Sequence, residues 1–590
     1  MTTAAAFLGV ERSLTGKRWR ARPVDDRLAL ALAQRLNLPE IVGRVMAGRG
    51  VELEGAEAWL QPTLRSHLPD PSTFLDMDAA ADRIANAVVN GEKIAIFGDY
   101  DVDGATSAAL LMRLFRAVGA DAIAYIPDRM KEGYGPNAPA LLKLAASGIS
   151  VVITVDCGTM AHAAIAAGTG AGLDVIVVDH HLAEAALPEA LSIINPNRLD
   201  ESGAHRQLAA VGMAFLLAVA LNRALRARNW FAQRAEPDLR QWLDLVAIGT
   251  ICDVVSLTGL NRALVVQGLK VLAGRTNVGL SALADAAGLN ERPGAYHAGF
   301  LLGPRINAGG RVGQSDLGVR LLTTEDPEEA RALAAELDRL NRERQMIEQE
   351  VLADAMGQLD RHANDSVVIL SGEGWHPGVI GIVAARVREA AGRPAIVVAL
   401  DGDKGKGSGR SMTGVDLGAA VTAALQAGLL VNGGGHPMAA GLTIATSALP
   451  DFRVFMNERL GASVRAAAEA GSLGIDGAVG LAGANTTLLD ALEKASPYGA
   501  GNPEPRFVLT RCQVIRADVA GEKHVRCILA DGNGQGRLKA IAFRSLGDNP
   551  LGGSLLASNG RPFHLAGHLR ADNWRGERRI QFVIEDGALA

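Results

Sequence analysis

The sequence predicts a multidomain α/β protein. A parallel-sheet domain leads by a long connector helix into a second α/β domain, and a small β-barrel follows. Three observations carry this reading. From residue 92, near-continuous Val/Ile runs (93–97, 122–126, 151–155, 175–178) alternate with helix-like segments, the pattern of a parallel sheet covered on both faces. From 327 to about 359, Leu333, Leu337, Leu340, Ile347 and Val351 step by three, four or seven, with charge on the other faces. After about 474 come five short alternating runs separated by glycine turns, the mark of a small barrel such as an OB-fold.

Bulk composition narrows the function classes. The chain has 590 residues, 48% apolar and only 4% aromatic, so its cores are built from Ala, Leu and Val. A formal charge of −5 excludes a global basic field, and any nucleic-acid site must be a local patch. The four cysteines include no C-x-x-C pair, which argues against a disulfide scaffold or a zinc finger and fits a reducing cytoplasm. Residues 1–22 lack an apolar core of signal length. The longest apolar run, 208–221, falls short of the ~20 residues of a membrane span and reads as a buried helix. A soluble cytoplasmic protein is expected. Residues 1–90 read as a helical lead-in without chemistry, in which Trp59 and Leu60 are packing residues.

The parallel-sheet domain, placed at 91–326, concentrates acids at one sheet edge. The first strand is followed by Asp99-Tyr100-Asp101-Val102-Asp103-Gly104, the third by Asp156, and the fourth by Asp179-His180-His181. In open sheets ligands bind beyond the carboxyl ends of the strands. Three acids within five residues repel each other unless a cation sits among them, and hard carboxylate oxygens suit Mg²⁺ or Mn²⁺. Asp253, at the end of an apolar helix, is a plausible last ligand. Cys157 and Cys252 adjoin two of these positions and read as packing residues. A polar loop after the second strand carries Arg129 and Lys131, and phosphate contact and simple solvation suit it equally.

Further on, Arg305, Asn307 and Arg311 bracket Gly309-Gly310, a combination suited to phosphate. The connector helix is placed at 327–360 and the second α/β domain at 361–465. In that domain 403–411, with Ser408, Arg410 and Ser411, reads as a flexible basic loop that fits neither nucleotide-binding fingerprint but suits a phosphate oxygen. Asn432-Gly433-Gly434-Gly435-His436 reads as a close-approach loop. Trp375-His376 either stacks a base or packs. The barrel, placed at 474–590, carries Lys523, Arg526, Lys539, Arg544, Arg570, Trp574, Arg575 and Arg578, which fits a single-strand groove or a solvated surface.

Taken together, these motifs resemble the DHH phosphoesterase superfamily, and within it the single-stranded-DNA-specific exonuclease branch. The resemblance covers the chain from about Lys93 onward and names the parts: a DHH domain, a DHHA1 domain and an OB-like tail. It implies two Mn²⁺ or Mg²⁺ ions held by Asp101, Asp103, Asp156, His180 and Asp253, with Asp99 close by. Asp179 would orient the metal-bound imidazole and His181 would contact the scissile phosphate. Arg305, Ser408, Arg410 and His436 would hold the terminal phosphate and the DNA backbone. The resemblance also implies a monomeric 5′→3′ exonuclease of recombination and repair, working on single-stranded DNA with a single-strand-binding protein and a RecQ-type helicase. Phe97 stands where related pyrophosphatases place a metal-binding His, which favours the nuclease branch. Ser256 replaces a usual Pro, and a looser turn is expected there. The competing readings are a phosphodiesterase for short oligonucleotides or cyclic dinucleotides, and a non-catalytic replication scaffold. The barrel-like tail weighs against the first, the full carboxylate set against the second.

Overall fold

The computed structural model describes residues 5–128, 132–133, 135–532, 536–547, 549–572 and 578–590, with the side chains of 469 and 470 left aside. Arg129, Lys131, Trp574 and Arg575 lie outside the described residues.

The expected parallel sheet forms. Its strands run in the order Ala122–Tyr125, Ile94–Gly98, Val151–Val155, Asp174–Val178 and Ser192–Ile194, parallel throughout. The three central strands are almost wholly buried, because helices cover both faces. Register matters most here. Gly98 pairs with Val155, and Val155 with Val178, so three strands end level. The next residues are Asp99, Asp156 and Asp179, each donating its backbone N–H across to a neighbouring strand. The apolar run at 208–221 becomes the buried helix Ala210–Ala227. Ser192–Ile194 is a fifth strand too short to have been read from the sequence.

The connector helix, Pro327–Gln358, has 32 residues and spans about 48 Å. The Asp326 side chain caps it by accepting from Glu328 N. Leu333, Leu337 and Leu340 belong to the core of the parallel-sheet domain, whereas Val351 and Ala355 join the core of the next domain. One rod therefore shares its two ends between two cores.

The second domain corrects two expectations. Residues 403–411 are not a flexible loop: Lys404–Arg410 is the central strand of a five-stranded sheet, hydrogen-bonded on both sides. Gly405, Gly407 and Gly409 face the Val398, Leu442 and Leu417 side chains, so the glycines serve close packing. Asn432–His436 is the edge strand of that sheet, not a loop. Gly-rich strands carry no alternating apolar pattern, which is why the sequence reads as loop.

The C-terminal strands Phe507–Ala520, His524–Ala530, Arg537–Ala542, Arg579–Leu589 and Pro562–Asp572 close into a barrel, the last pairing back onto the first. The lead-in does not stand apart from it. Arg18–Ala21 pairs in parallel with Ser472–Ile475. Trp19 is fully buried and donates from Nε1 to Asp586 Oδ2 at 2.9 Å. Arg49 reaches Asp476 at 2.8 Å.

The barrel also touches the parallel-sheet domain. Leu257 N donates to Ala500 O at 2.8 Å. Arg262, 1% exposed, donates to the carbonyls of Trp59, Ala495 and Ser496, and its guanidinium lies 4.0 Å from the Trp59 ring centre. A β-carbon on Gly501 would sit 1.9 Å from Ser256 Oγ. The turn after Asp253 is therefore clamped by the barrel rather than loosened by Ser256.

Candidate metal centre

The level strand ends bring the predicted acids together. Asp101 caps the helix Val102–Val118, its Oδ1 accepting from Asp103 N and Gly104 N at 2.9 and 3.1 Å. The cap fixes the turn that aims three carboxylates at one point. Gly104 is required there, because a β-carbon would lie 2.4 Å from the Asp99 carbonyl oxygen. Asp103 is buried, and both its oxygens receive N–H groups from the start of the helix Ala210–Ala227, from Ala210 at 2.7 Å and Val211 at 2.9 Å. Its anchoring is thus a helix N-terminus, which favours a negative charge. Asp156 sits at φ 60, a left-handed conformation that turns its carboxylate back over the sheet edge.

Three clusters result, and the ligand atoms of each lie within 4.8 Å of one another: Asp99, Asp101 and Asp156; Asp103, His180 and Asp253; and Asp156, His180 and His181. His180 Nε2 is the hub, 3.2 Å from Asp156, 3.6 Å from Asp253 and 3.8 Å from Asp103. His180 Nε2 and Asp253 Oδ2 are buried and make no hydrogen bond. Such atoms normally find partners, and a divalent cation satisfies both. Asp156 belongs to clusters on both sides, the position of a ligand shared by two ions. The donor set of carboxylate oxygens with one imidazole suits a hard cation.

Electrostatics agree. Burial, then the neighbouring Asp101, pushes Asp103 up to about 7. Burial, then Asp103 and Asp101, pushes Asp253 up to about 9. Burial, then Asp101 and Asp103, raises Asp156. Burial, then the adjacent His181, lowers His180 to about 4 and keeps it neutral, as a ligand must be.

The orienting group for His180 differs from expectation. Asp179 receives only its backbone N–H. Asp179 instead accepts from His181 Nδ1 at 2.7 Å and from Thr159 N at 3.0 Å. Burial opposes the ionised form of Asp179, yet the bond to His181 holds it below the usual carboxylate range. The same bond outweighs burial at His181 and raises it to about 9. Asp179→Asn should lower activity about 10- to 100-fold, the usual cost of a supporting shell. Steady-state kinetics on the full-length variant check this, and an unchanged kcat would count against the brace.

A cleft of about 620 Å³ opens between the parallel-sheet and second domains, lined by Tyr100 and Arg311 on one side and Lys406, Ser408, Arg410 and Gly434 on the other. Arg311 donates to Gly378 O at 3.1 Å and feels Asp101 and Asp99. Arg410 reaches Ser408 Oγ at 3.2 Å. His436 ends the edge strand, its Nδ1 accepting from Met438 N at 3.3 Å.

Other expected contacts do not gather there. Arg305 turns to the connector helix, its Nε 3.0 Å from Asp338. Ser411 is buried, with its hydroxyl donating to Val415 O. Asn307 and the Gly309-Gly310 pair lie in the helix Gly303–Val312. Gly310 admits the Tyr100 ring, which stands 2.6 Å from where a β-carbon would be. The Asn307 Oδ1 is buried without a hydrogen bond. Among the cysteines, Cys157 is buried against Val155 O and Cys252 sits 3.5 Å from Ala298 O. Both thiols are pushed up by burial, in keeping with packing roles. Phe97 stacks on Tyr125 at 5.2 Å.

Sequence reasoning missed Asn195 and Asn197. Asn195 donates to His181 O at 2.9 Å and Asn197 to His180 O. The available signal was Asn195-Pro196-Asn197 directly after an apolar pair.

Comparison with known proteins matches each part of this arrangement. Residues 93–250 match the DHH family N-terminal domain, 364–462 the DHHA1 domain and 475–586 the RecJ OB domain. The single-stranded-DNA-specific exonuclease RecJ of Salmonella typhimurium is 36% identical over 581 residues, covering 96% of this chain and 98% of its own. The chain belongs to the RecJ family. The Escherichia coli RecJ is 35% identical, again over 96% and 98% of the two chains. A crystal structure of Thermus thermophilus RecJ in complex with Mn²⁺ superposes with a TM-score of 0.80 at 30% identity, over 96% of this chain and 79% of that one. The Mg²⁺ complex of that RecJ gives 0.75 at 29% identity, over 97% and 78%.

Proposed function

We propose that this chain is a metal-dependent exonuclease that hydrolyses single-stranded DNA to 5′-mononucleotides in the 5′→3′ direction. The observation that carries the reading is that Asp156 belongs both to the cluster with Asp99 and Asp101 and to the cluster with His180 and His181; Tyr100, between two of these acids in sequence, lines the interdomain cleft. Asp99, Asp101 and Asp156 would hold one ion, and Asp103, His180, Asp253 and Asp156 the other. Two bound Mn²⁺ or Mg²⁺ ions supply Lewis-acid charge and an acidified water for in-line displacement at phosphorus. The chain's own work is positioning. Asp179 fixes the ring of His181, which lies half-exposed at the site and is assigned the scissile phosphate. Arg311, Ser408, Arg410, Gly434, Gly435 and His436 are assigned to the terminal phosphate and strand backbone. Asn307, in the helix Gly303–Val312, is assigned there on family grounds. Arg305 and Ser411 support this surface from behind, through Asp338 and Val415.

A role in DNA recombination and repair, a monomeric state, a cytoplasmic location and partnership with a single-strand-binding protein and a RecQ-type helicase belong to the same reading, on family grounds. The helix Ala210–Ala227 is long and apolar enough to cross a membrane, but it is mostly buried in the protein core. The test is a strand- and end-specificity assay with Mn²⁺ titration. Mononucleotide release from the 5′ end of single strands is expected. Release from the 3′ end would overturn the polarity. Cleavage of dinucleotides alone would favour the short-substrate phosphodiesterase, and no cleavage at all would favour the scaffold.

A further inference from the structure

We infer that Tyr296 and Phe300 form a base-stacking subsite for the single strand beside the metal centre. The inference rests on the nuclease reading above.

The chain is poor in aromatics, with 5 Tyr and 13 Phe, and most of the described ones are buried or partly buried. Among the described residues, the strongly exposed ones are Tyr296 at 66%, Phe300 at 73% and Phe543. Tyr296 and Phe300 stack on each other, ring centres 5.3 Å apart and planes 23° from parallel. A lone exposed ring is ordinary, whereas two aligned rings held in water are informative.

Their support is rigid on the inner side. They flank and occupy the six-residue π-helical turn His297–Leu302, a type of turn frequent at functional sites. Ala298 and Leu302 are buried, and Gly299 lies against Ile251. The Ala298 carbonyl receives Cys252 Sγ at 3.5 Å. The residue after Cys252 is the ligand Asp253.

The pair is thus tied, through Cys252 and Ile251, to the segment that carries the ligand Asp253. A single strand leaving the metal centre needs a π-face for each base on its path. An apolar protein partner would have no use for the phosphodiester chemistry next door, so a nucleobase is the occupant that fits.

The full-length chain tests this with Ca²⁺ replacing the catalytic metal. Binding of 5′-phosphorylated oligothymidylate of about 20 nucleotides is compared with the same strand made abasic, since single-strand sites are of this order. Wild-type protein should prefer the base-bearing strand by roughly tenfold or more. In Tyr296→Ala/Phe300→Ala that ratio should fall toward one, with the melting midpoint unchanged, and Phe300→Trp should preserve it. An undiminished ratio in the double variant overturns the inference. So does Phe300→Leu preserving the ratio as well as tryptophan, since the rings would then be mere apolar cover. Wild-type protein that binds no strand and releases no nucleotide in Mn²⁺ sinks the nuclease reading instead.

Discussion

Asp156→Asn is expected to abolish turnover, with a loss of at least about 10³-fold, because Lewis-acid stabilisation is worth several kcal/mol and each 1.36 kcal/mol is tenfold in rate. Asparagine is the informative substitution. Asp156 sits at φ 60, where Asn is tolerated and Ala costs about 1–2 kcal/mol. The Asn variant keeps shape and backbone and removes only the charge shared between the two clusters. Without metal, that charge is repelled by Asp101, Asp103, Asp99 and Asp253. The metal-free variant should therefore melt at or above the wild-type temperature while its Mn²⁺ affinity collapses. Calorimetric titration with Mn²⁺, beside a melting curve in chelator, separates these effects. Near-normal turnover, or a metal-free melting point well below wild type, would remove Asp156 from the centre of the site.

Arg262→Ala is expected to destabilise the protein by about 2–6 kcal/mol, since a buried carbonyl stripped of its donor costs about 1–3 kcal/mol and those of Trp59 and Ser496 lose theirs, whereas Ala495 O keeps Asn502 Nδ2 at 3.0 Å. Burial lowers Arg262 to about 10, and among the described residues its guanidinium meets three carbonyls and the Trp59 ring rather than a carboxylate. Lysine lacks the planar fork and should rescue little of the loss. The same contacts predict that deleting residues after 471 damages chemistry as much as strand binding, because the turn following Asp253 loses its clamp and Trp19 loses its cover. A truncated chain that retains wild-type Mn²⁺ affinity and kcat would refute the clamp. Differential scanning calorimetry reads the Arg262 effect directly.

Much of the site was legible because its chemistry is local in sequence. The acids follow strands whose Val/Ile runs are visible, and parallel register alone makes their ends level. The connector helix was legible within two residues of its observed ends, from the periodicity of its apolar positions. The glycine-rich strands were not legible, because a strand without side chains has no alternation to read. Nor was the difference between Arg311, which faces the cleft, and Arg305, which pairs with Asp338: the two lie six residues apart on one helix, and only the packing of the connector helix tells them apart. The brace on His181 rather than His180 was hidden for a similar reason. Asp179 adjoins both, and only the fold shows that its Oδ1 meets the ring of His181 and the backbone N–H of His180.

The parallel pairing of Arg18–Ala21 with Ser472–Ile475 has a consequence for biosynthesis. A ribosome must make most of the chain before the amino-terminal strand meets its neighbour, and the burial of Trp19 waits still longer, for Asp586. Non-local contacts of this kind form slowly and leave apolar surface open meanwhile. A segment made early is thus completed late, and an interrupted translation product should be open to proteolysis around Trp19 rather than at its catalytic sheet.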